Sequence, residues 1–240
     1  AYMKNSVFLF NGMRILQDDK CHSLGLDTVL LSDFATVKKN MRVLDLGAGN
    51  GALSFLLAGR EKTAKFDGIE ISDAACALAD ENIGLNGMRD NINIHRADFC
   101  SEDLPLEPNS FDLAVSNPPY FACGSGKKAE GARGLARSES ACSLPGLLKT
   151  VARFLKWGGY FAVVYRPERL SELIFYMKES KIEPKRMRFV MKDPYSKPSL
   201  VLLEGKLHAS AGLNVLPPLY TKSDSGGDSD EIKRIYGRGG

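Results

Sequence analysis

Midway along the chain, Asn117-Pro118-Pro119-Tyr120 closes the apolar run Phe111-Asp112-Leu113-Ala114-Val115-Ser116. Two consecutive prolines cannot continue a sheet ladder, so they end a strand and leave carbonyls without a neighbouring N–H to compete for them. The Asn side-chain oxygen and a proline carbonyl can then both accept from one NH2 group. The Tyr120 ring can lie on a flat group beside them while its hydroxyl finds water or a partner. Residues of these types in this order suit chemistry on a planar amine, with Asn117, Pro118, Pro119 and Tyr120 as the candidate catalytic set. A strand stopped by prolines and plugged by an aromatic ring is the purely structural alternative, so the preceding sequence has to decide.

That sequence contains a ligand cradle. In Val43-Leu44-Asp45-Leu46-Gly47-Ala48-Gly49-Asn50-Gly51, glycines let the chain turn sharply and let a ligand approach the backbone. Glu70, followed by Ile71, ends the next strand, where a carboxylate can accept from both hydroxyls of a ribose. Asp98-Phe99 follows the third strand and can supply a polar contact to an adenine edge and a wall for its ring. Asp45, Gly47, Ala48, Gly49, Asn50, Gly51, Glu70, Ile71, Asp98 and Phe99 are therefore the candidate cofactor-binding residues. Taken singly, a tight turn, a solvated strand end and a capping Asp explain each of these. Their recurrence at consecutive strand ends is hard to attribute to folding alone. Gly47, Gly49 and Ala52 also satisfy a G-x-G-x-x-A dinucleotide fingerprint, with Glu70 near the expected acidic position. Asp45 argues against that reading, since its carboxylate suits a cationic ammonium or sulfonium group better than a pyrophosphate.

These residues have to be positioned by a regular frame. The sequence predicts strands at Arg42 to Leu46, Lys65 to Glu70, Asn91 to His95, Phe111 to Ser116 and Tyr160 to Tyr165, with two more near Arg186 to Lys192 and Leu200 to Leu207. Helices are expected at Ala52 to Arg60, Asp73 to Leu85, near Glu139 to Leu155, and Arg166 to Lys181. Residues 1 to 40 read as a mixed lead-in with a helix from about Thr28, where Asp27 can cap exposed N–H groups. The tail from Thr221 reads as a flexible loop before a short end. Strands regularly separated by helices mean an α/β fold with a mostly parallel sheet covered on both faces. The expected organisation is one domain over 1–240: a lead-in and helix at 1–40, a sheet core at 41–207, and a C-terminal extension with a flexible loop at 208–240.

Composition excludes little beyond the extremes. A formal charge of +3, from 32 basic and 29 acidic residues, does not by itself require a polyanionic partner. Cys21, Cys76, Cys100, Cys123 and Cys142 are odd in number and form no CxxC pair. They read as reduced thiols, and with His22, His95 and His208 sharing no ligand spacing, no metal is expected. There is no apolar signal core and no apolar stretch near the ~18 residues of a membrane span, so a cytoplasmic location without membrane association is expected.

With these residues in view, the chain resembles the class I S-adenosylmethionine-dependent methyltransferases, a Rossmann-like fold, through VLDLGAGNGALS, GIEIS, ADF and SNPPY in that order. Within them it is similar to the bacterial tRNA (adenine-N6) methyltransferases that act just 3′ of the valine tRNA anticodon. That narrower likeness rests on Gln17 with Asp27-Thr28-Val29-Leu30-Leu31, on Asn82 and Leu85-Asn86, and on Asn117 to Phe121. It continues through Ala136-Arg137-Ser138-Glu139 and Tyr165 to Leu170, with Ser138 departing from a common His.

The resemblance implies a seven-stranded sheet with its last strand antiparallel, and S-adenosyl-L-methionine as cofactor held by Asp45, Gly47, Glu70 and Asp98. It implies Asn117 and Tyr120 at the reacting amine and tRNA as partner, with a monomer favoured. Lys127, Lys128, Arg133 and Arg137 follow the proline motif and can guide phosphates. Lys185, Arg186, Arg188 and Lys192 form a second basic cluster, and for each cluster a solvated face is the plain alternative. Methylation of rRNA, DNA adenine or a protein glutamine amide remains open, and an NAD-dependent oxidoreductase is the remote alternative. Enzymes of the protein-glutamine class usually add a helical N-terminal domain, for which 40 residues are too few, so a nucleic-acid substrate is expected.

Overall fold

The computed structural model describes residues 4–9, 11–18, 24–118 and 143–237. Its centre is the expected parallel run: β3 (Arg42–Leu46), β4 (Lys65–Glu70), β5 (Ile92–Arg96), β6 (Phe111–Ser116) and β7 (Leu155–Tyr165). The pairs β3/β4, β4/β5, β3/β6 and β6/β7 are all parallel. Strand β9 (Leu200–Leu207) lies antiparallel between β7 and β8 (Ile182–Met191). These seven long strands match the expectation. Two strands of two residues, β10 (Asn214–Val215) and β11 (Leu219–Tyr220), add to the outer edge of β8 and bring the sheet to nine.

Why both faces are covered follows from alternation along strands that are apolar throughout. Val43, Leu113, Val115, Ala162, Val164 and Leu202 face one layer, packed under α1 (Leu26–Phe34), α2 (Ala52–Arg60) and Ile83 of α3 (Asp73–Leu85). Leu44, Leu46, Ala114, Phe161, Val163 and Leu203 face the other, under α4 (Leu144–Phe154) and α5 (Leu170–Glu179). Ser72 and Ser143 cap α3 and α4 by accepting from backbone N–H groups three residues on.

Four local features differ from expectation. The lead-in forms an antiparallel hairpin of β1 (Lys4–Phe8) and β2 (Arg14–Asp18). Strand β7 begins at Leu155 and carries a register shift opposite Phe111, so Trp157-Gly158-Gly159 lies within the strand. A three-residue 3-10 turn, Pro167–Arg169, precedes α5. The tail closes on itself through a bridge between Lys222 and Asp228 and ends in α6 (Asp230–Ile235), capped by Ser229. Ile232 and Ile235 of α6 are buried in the first core layer, and each such burial contributes ~1.5–3 kcal/mol.

The hairpin is docked by an asparagine ladder on α3. Asn82 Oδ1 accepts the Leu16 N–H at 2.7 Å while its Nδ2 donates to the Leu16 carbonyl at 3.1 Å. One helical turn later, Asn86 treats Arg14 the same way, at 2.9 and 2.7 Å. Residues four apart on a helix share a face, and backbone groups two apart on a strand point to the same side, so the two amides meet alternate residues of β2.

Among the described residues no helix is long and apolar enough to cross a membrane, and no group of three or more His, Cys, Asp or Glu could hold a metal ion. Cys76 and Cys100 are thiols rather than disulfide partners. His95 lies 3.0 Å from Asp67 and His208 stacks on Trp157 with ring centroids 4.1 Å apart.

Candidate active site

Strand order reverses at β3, whose successors run outward on one side through β4 and β5 and on the other through β6 and β7. In an open α/β sheet this reversal opens a crevice at the carboxyl ends of the strands. The turn from β3 into α2 sits there. The Gly47 and Ala48 amides both donate to the Ile69 carbonyl, at 2.9 and 3.0 Å, and Gly51 N–H donates to Ala48 O. Gly47 has φ 78°, and no atom lies within 4 Å of where its Cβ would stand, so its bare backbone faces open space. Gly51 is glycine for another reason: at φ 85°, a Cβ would come 3.0 Å from the Phe55 ring.

Glu70, 7% exposed, ties the loops after β3 and β4 together. Its Oε2 accepts from Gly49 N–H at 2.9 Å and its Oε1 from Ser72 N–H at 2.8 Å. A carboxylate offers about four acceptor sites, so two remain for a ligand. Ile71 follows and is 50% exposed, a large apolar side chain at the rim of the crevice. Asp98 is half-buried, with Oδ1 accepting the Cys100 N–H at 2.9 Å.

Three expected donor residues are turned inward. Asp45 is 1% exposed and accepts from Ser54 Oγ of α2 at 2.8 Å. Burial pushes its pKa up to about 7, the nearby Glu70 charge adds to this, and the Ser54 hydrogen bonds partly oppose it. Phe99 is 7% exposed, packed in the second core layer with its carbonyl accepting from Thr150 Oγ1 at 2.8 Å. Its carbonyl ties α4 to the loop after β5 while its ring packs in the core, so Ile71 is the more exposed apolar side chain of the two. Asn50 is also buried; its Nδ2 donates to Leu16 O at 3.2 Å and its own carbonyl accepts from Asn82 Nδ2 at 3.1 Å. The glycine turn and the N-terminal hairpin are thus held by the same two asparagines.

Asn117 follows β6, one strand across from the turn. The register pairs Asp45 with Val115, and Ser116 Oγ donates to the Leu46 carbonyl at 2.8 Å, which sets Asn117 beside Gly47. With strands ~4.8 Å apart, Glu70 and Asn117 flank the turn at a separation on the order of 10 Å. Asn117 is half-buried and its Nδ2 donates to Thr28 Oγ1 at 2.9 Å; Pro118 is buried. Pro119 and Tyr120, and the basic loop with Lys127, Lys128, Arg133 and Arg137, lie outside the described residues.

The second basic cluster is largely occupied by internal contacts. Arg188 makes a two-pronged pair with Glu231 at 2.7 and 2.8 Å. Arg186 contacts the buried Glu204 at 3.1 Å and the Phe34 carbonyl, and Lys185 Nζ donates to Ser210 O at 3.2 Å. Ser54, Ser116 and Thr28 hold site residues in place, and none is singled out by residue type in the sequence.

Residues 37–216 match the family described as a methyltransferase domain. The chain is 35% identical over 202 residues to the tRNA1(Val) (adenine(37)-N6)-methyltransferase of Parabacteroides distasonis, covering 84% of each chain. The chain belongs to this methyltransferase family. The similarly named Escherichia coli O1:K1 protein is 36% identical over 172 residues, or 69% of each chain. Among solved structures, a predicted O-methyltransferase from Agrobacterium tumefaciens superimposes with TM-score 0.72 at 20% identity, over 89% of this chain and 97% of that one. P. horikoshii TYW2 in complex with MeSAdo gives 0.62 at 16% identity, over 87% and 73%. At these identities the superpositions speak for the fold, which is the Rossmann-like methyltransferase fold. Membership in the methyltransferase family sets aside the dinucleotide reading of the glycine turn.

Proposed function

We propose that this chain transfers a methyl group from S-adenosyl-L-methionine to the N6 amine of an adenine in tRNA, at position 37 of tRNA1(Val). The observation that carries the reaction is the placement of Asn117, amide nitrogen engaged by Thr28, one strand across from the open backbone of Gly47. The substrate comes from the relatives that carry that name and match this chain along most of their length.

The residues fit the donor. Gly47 leaves room that a Cβ would fill, Glu70 keeps acceptor capacity for a ribose diol, and exposed Ile71 offers an apolar face to adenine. Asp98 can accept from the adenine amine, and the turn Gly47-Ala48-Gly49-Asn50-Gly51 lines the remaining side, with Asp45 beneath it. S-adenosylmethionine supplies an electrophilic methyl on a positively charged sulfur.

The chain's own groups do the rest. An adenine amine is a weak nucleophile because its lone pair is delocalised into the ring. Asn117 Oδ1 and the Pro118 carbonyl accept its two N–H bonds and draw the nitrogen toward a pyramidal geometry that exposes the lone pair. The amine proton becomes acidic as the nitrogen is alkylated, so no strong base is needed, and the rate comes from positioning and electrostatic fit. Tyr120 is placed by the sequence to stack on the target base, worth about 1–3 kcal/mol. An anticodon-loop adenosine is already unpaired, which avoids the cost of opening a duplex.

Incubation with methyl-labelled S-adenosylmethionine and an unmodified tRNA1(Val) transcript, followed by nucleoside analysis, tests the reading. Label in N6-methyladenosine, lost when A37 is replaced by G, is the expected result. Label only in rRNA, DNA or protein would reassign the acceptor while keeping the donor chemistry.

A further inference from the structure

The geometry points to Thr28 as the positioning residue that holds the Asn117 carboxamide with its nitrogen against α1 and its oxygen toward the substrate amine. The inference rests on the proposed amino-group methylation. A carboxamide has an acceptor oxygen on one side and a two-donor nitrogen on the other, and the two ends are close to the same size and shape. For Asn117 to accept from an incoming NH2, its oxygen has to face the crevice. Turned over, it would present N–H to N–H, a repulsive contact that costs the acceptor as well.

Nothing in Asn117 itself decides between these orientations. In the structure Thr28 Oγ1 accepts from Nδ2 at 2.9 Å, which holds the nitrogen toward α1 and leaves the oxygen for the crevice. Thr28 is in turn fixed. Its backbone N–H donates to Asp27 Oδ1 at 2.8 Å at the first turn of α1, and the next residues, Val29, Leu30 and Leu31, are buried in the first core layer. The chain leading to it is tied down as well, since Gln17 Oε1 accepts the Leu24 N–H at 2.9 Å. The hydroxyl is thus a hydrogen-bonding partner carried on a packed helix; it anchors the carboxamide, and the substrate N–H groups reinforce the orientation that turns the oxygen outward. Thr28 touches no reacting atom and acts only through Asn117.

The test uses the full chain with S-adenosylmethionine and the unmodified tRNA1(Val) transcript, comparing wild type with Thr28→Val, which keeps the shape and removes the hydroxyl, and Thr28→Ser, which keeps the hydroxyl. Thr28→Val should lower kcat by about tenfold or more, the scale of one lost hydrogen bond, with donor affinity and KM for tRNA changed less than about twofold. Thr28→Ser should restore most of kcat. A Thr28→Val kcat within about twofold of wild type, or a Thr28→Ser defect equal to that of Thr28→Val, overturns the assignment.

A second readout does not depend on turnover. The Asn117 side-chain NH2 resonances should move in Thr28→Val, or in Thr28→Ala if the valine variant fails to fold, and return in Thr28→Ser; unmoved resonances overturn the contact itself. Wild-type protein that transfers no label to tRNA would instead remove the tRNA reading, while the resonances still report on the Thr28 contact.

Discussion

Asn82 clasps Leu16 as a neighbouring strand would, accepting its N–H at 2.7 Å and donating to its carbonyl at 3.1 Å from a fully buried position. The same Nδ2 reaches the Asn50 carbonyl in the glycine turn at 3.1 Å. Replacing Asn82 with Ala takes this partner from the Leu16 N–H and the Asn50 carbonyl, while the Leu16 carbonyl keeps Asn50 Nδ2. We expect a loss of about 2 kcal/mol, seen as a fall in Tm of roughly 4–8 °C, together with weaker donor binding. A thermal melt indistinguishable from wild type would mean that the hairpin contributes nothing to the stability of the sheet domain.

Glu70 should be the most sensitive donor contact. In Glu70→Gln, one of the two backbone N–H groups now held, at Gly49 or Ser72, meets an amide nitrogen instead of an oxygen. Hydrogen bonds to a charged acceptor are worth about 1.5–3 kcal/mol, so Kd for S-adenosylmethionine should rise roughly ten- to a hundredfold. Titration calorimetry reads this directly, and an unaltered Kd would place the ribose elsewhere.

Asn117→Ala removes the acceptor on the reacting amine. The expected loss in kcat is about two to three orders of magnitude, comparable to deleting a preorganised hydrogen-bonding group in other active sites, with donor affinity unchanged. Unimpaired turnover at saturating donor would take Asn117 out of the chemistry.

Asp45 makes stability depend on pH in a definite direction. Its carboxyl has a folded-state pKa of about 7, against about 4 in an unfolded chain. Across that interval the folded protein holds a proton that the unfolded chain has released. This group's contribution is therefore fully present below pH about 4, declines as pH rises toward about 7, and is gone above it. Asp45→Asn removes the decline. Urea unfolding of both proteins between pH 5 and pH 8 should give converging stabilities at the acid end; identical pH slopes would falsify the assignment of this titration to Asp45.

Lys127, Lys128, Arg133 and Arg137 are the cations expected to meet RNA phosphates, and Arg188 offers an internal comparison. Reversing charges in the first group should weaken tRNA binding and flatten the dependence of log Kd on log salt by about one unit per lost phosphate contact. Arg188→Glu, which opposes its own partner Glu231, should lower Tm instead. A salt slope that survives the loop reversals would return those residues to a solubilising role.

The repeating frame was legible because strands buried on both faces have to be apolar throughout, and β3, β4 and β6 were read with their observed ends. What escaped depends on partners far away in the chain. The hairpin is the exception: Asn11-Gly12, with Gly12 at φ 85°, is a turn dipeptide that reading residues 1 to 40 as a mixed lead-in passed over, although the amides that dock the hairpin lie 66 and 72 residues on. Helix α6 follows a Ser-Gly-Asp stretch whose composition reads as loop, and only the burial of Ile232 and Ile235 shows why it folds. In the site, residue type indicated Glu70 and Asn117, but it could not separate exposed Ile71 from buried Phe99. Nor could it tell that Arg186 and Arg188 would meet Glu204 and Glu231 rather than solvent.

The attachment of Leu16 to Asn50 and Asn82 makes the first segment of the chain a reporter on the donor turn. The Leu16 amide proton can exchange with solvent only when the clasp opens. Ligand that stiffens the turn should therefore slow deuterium uptake in β2, far along the sequence from any residue that touches the donor. Isotope exchange at the hairpin would then serve as a gauge of occupancy that needs no turnover at all.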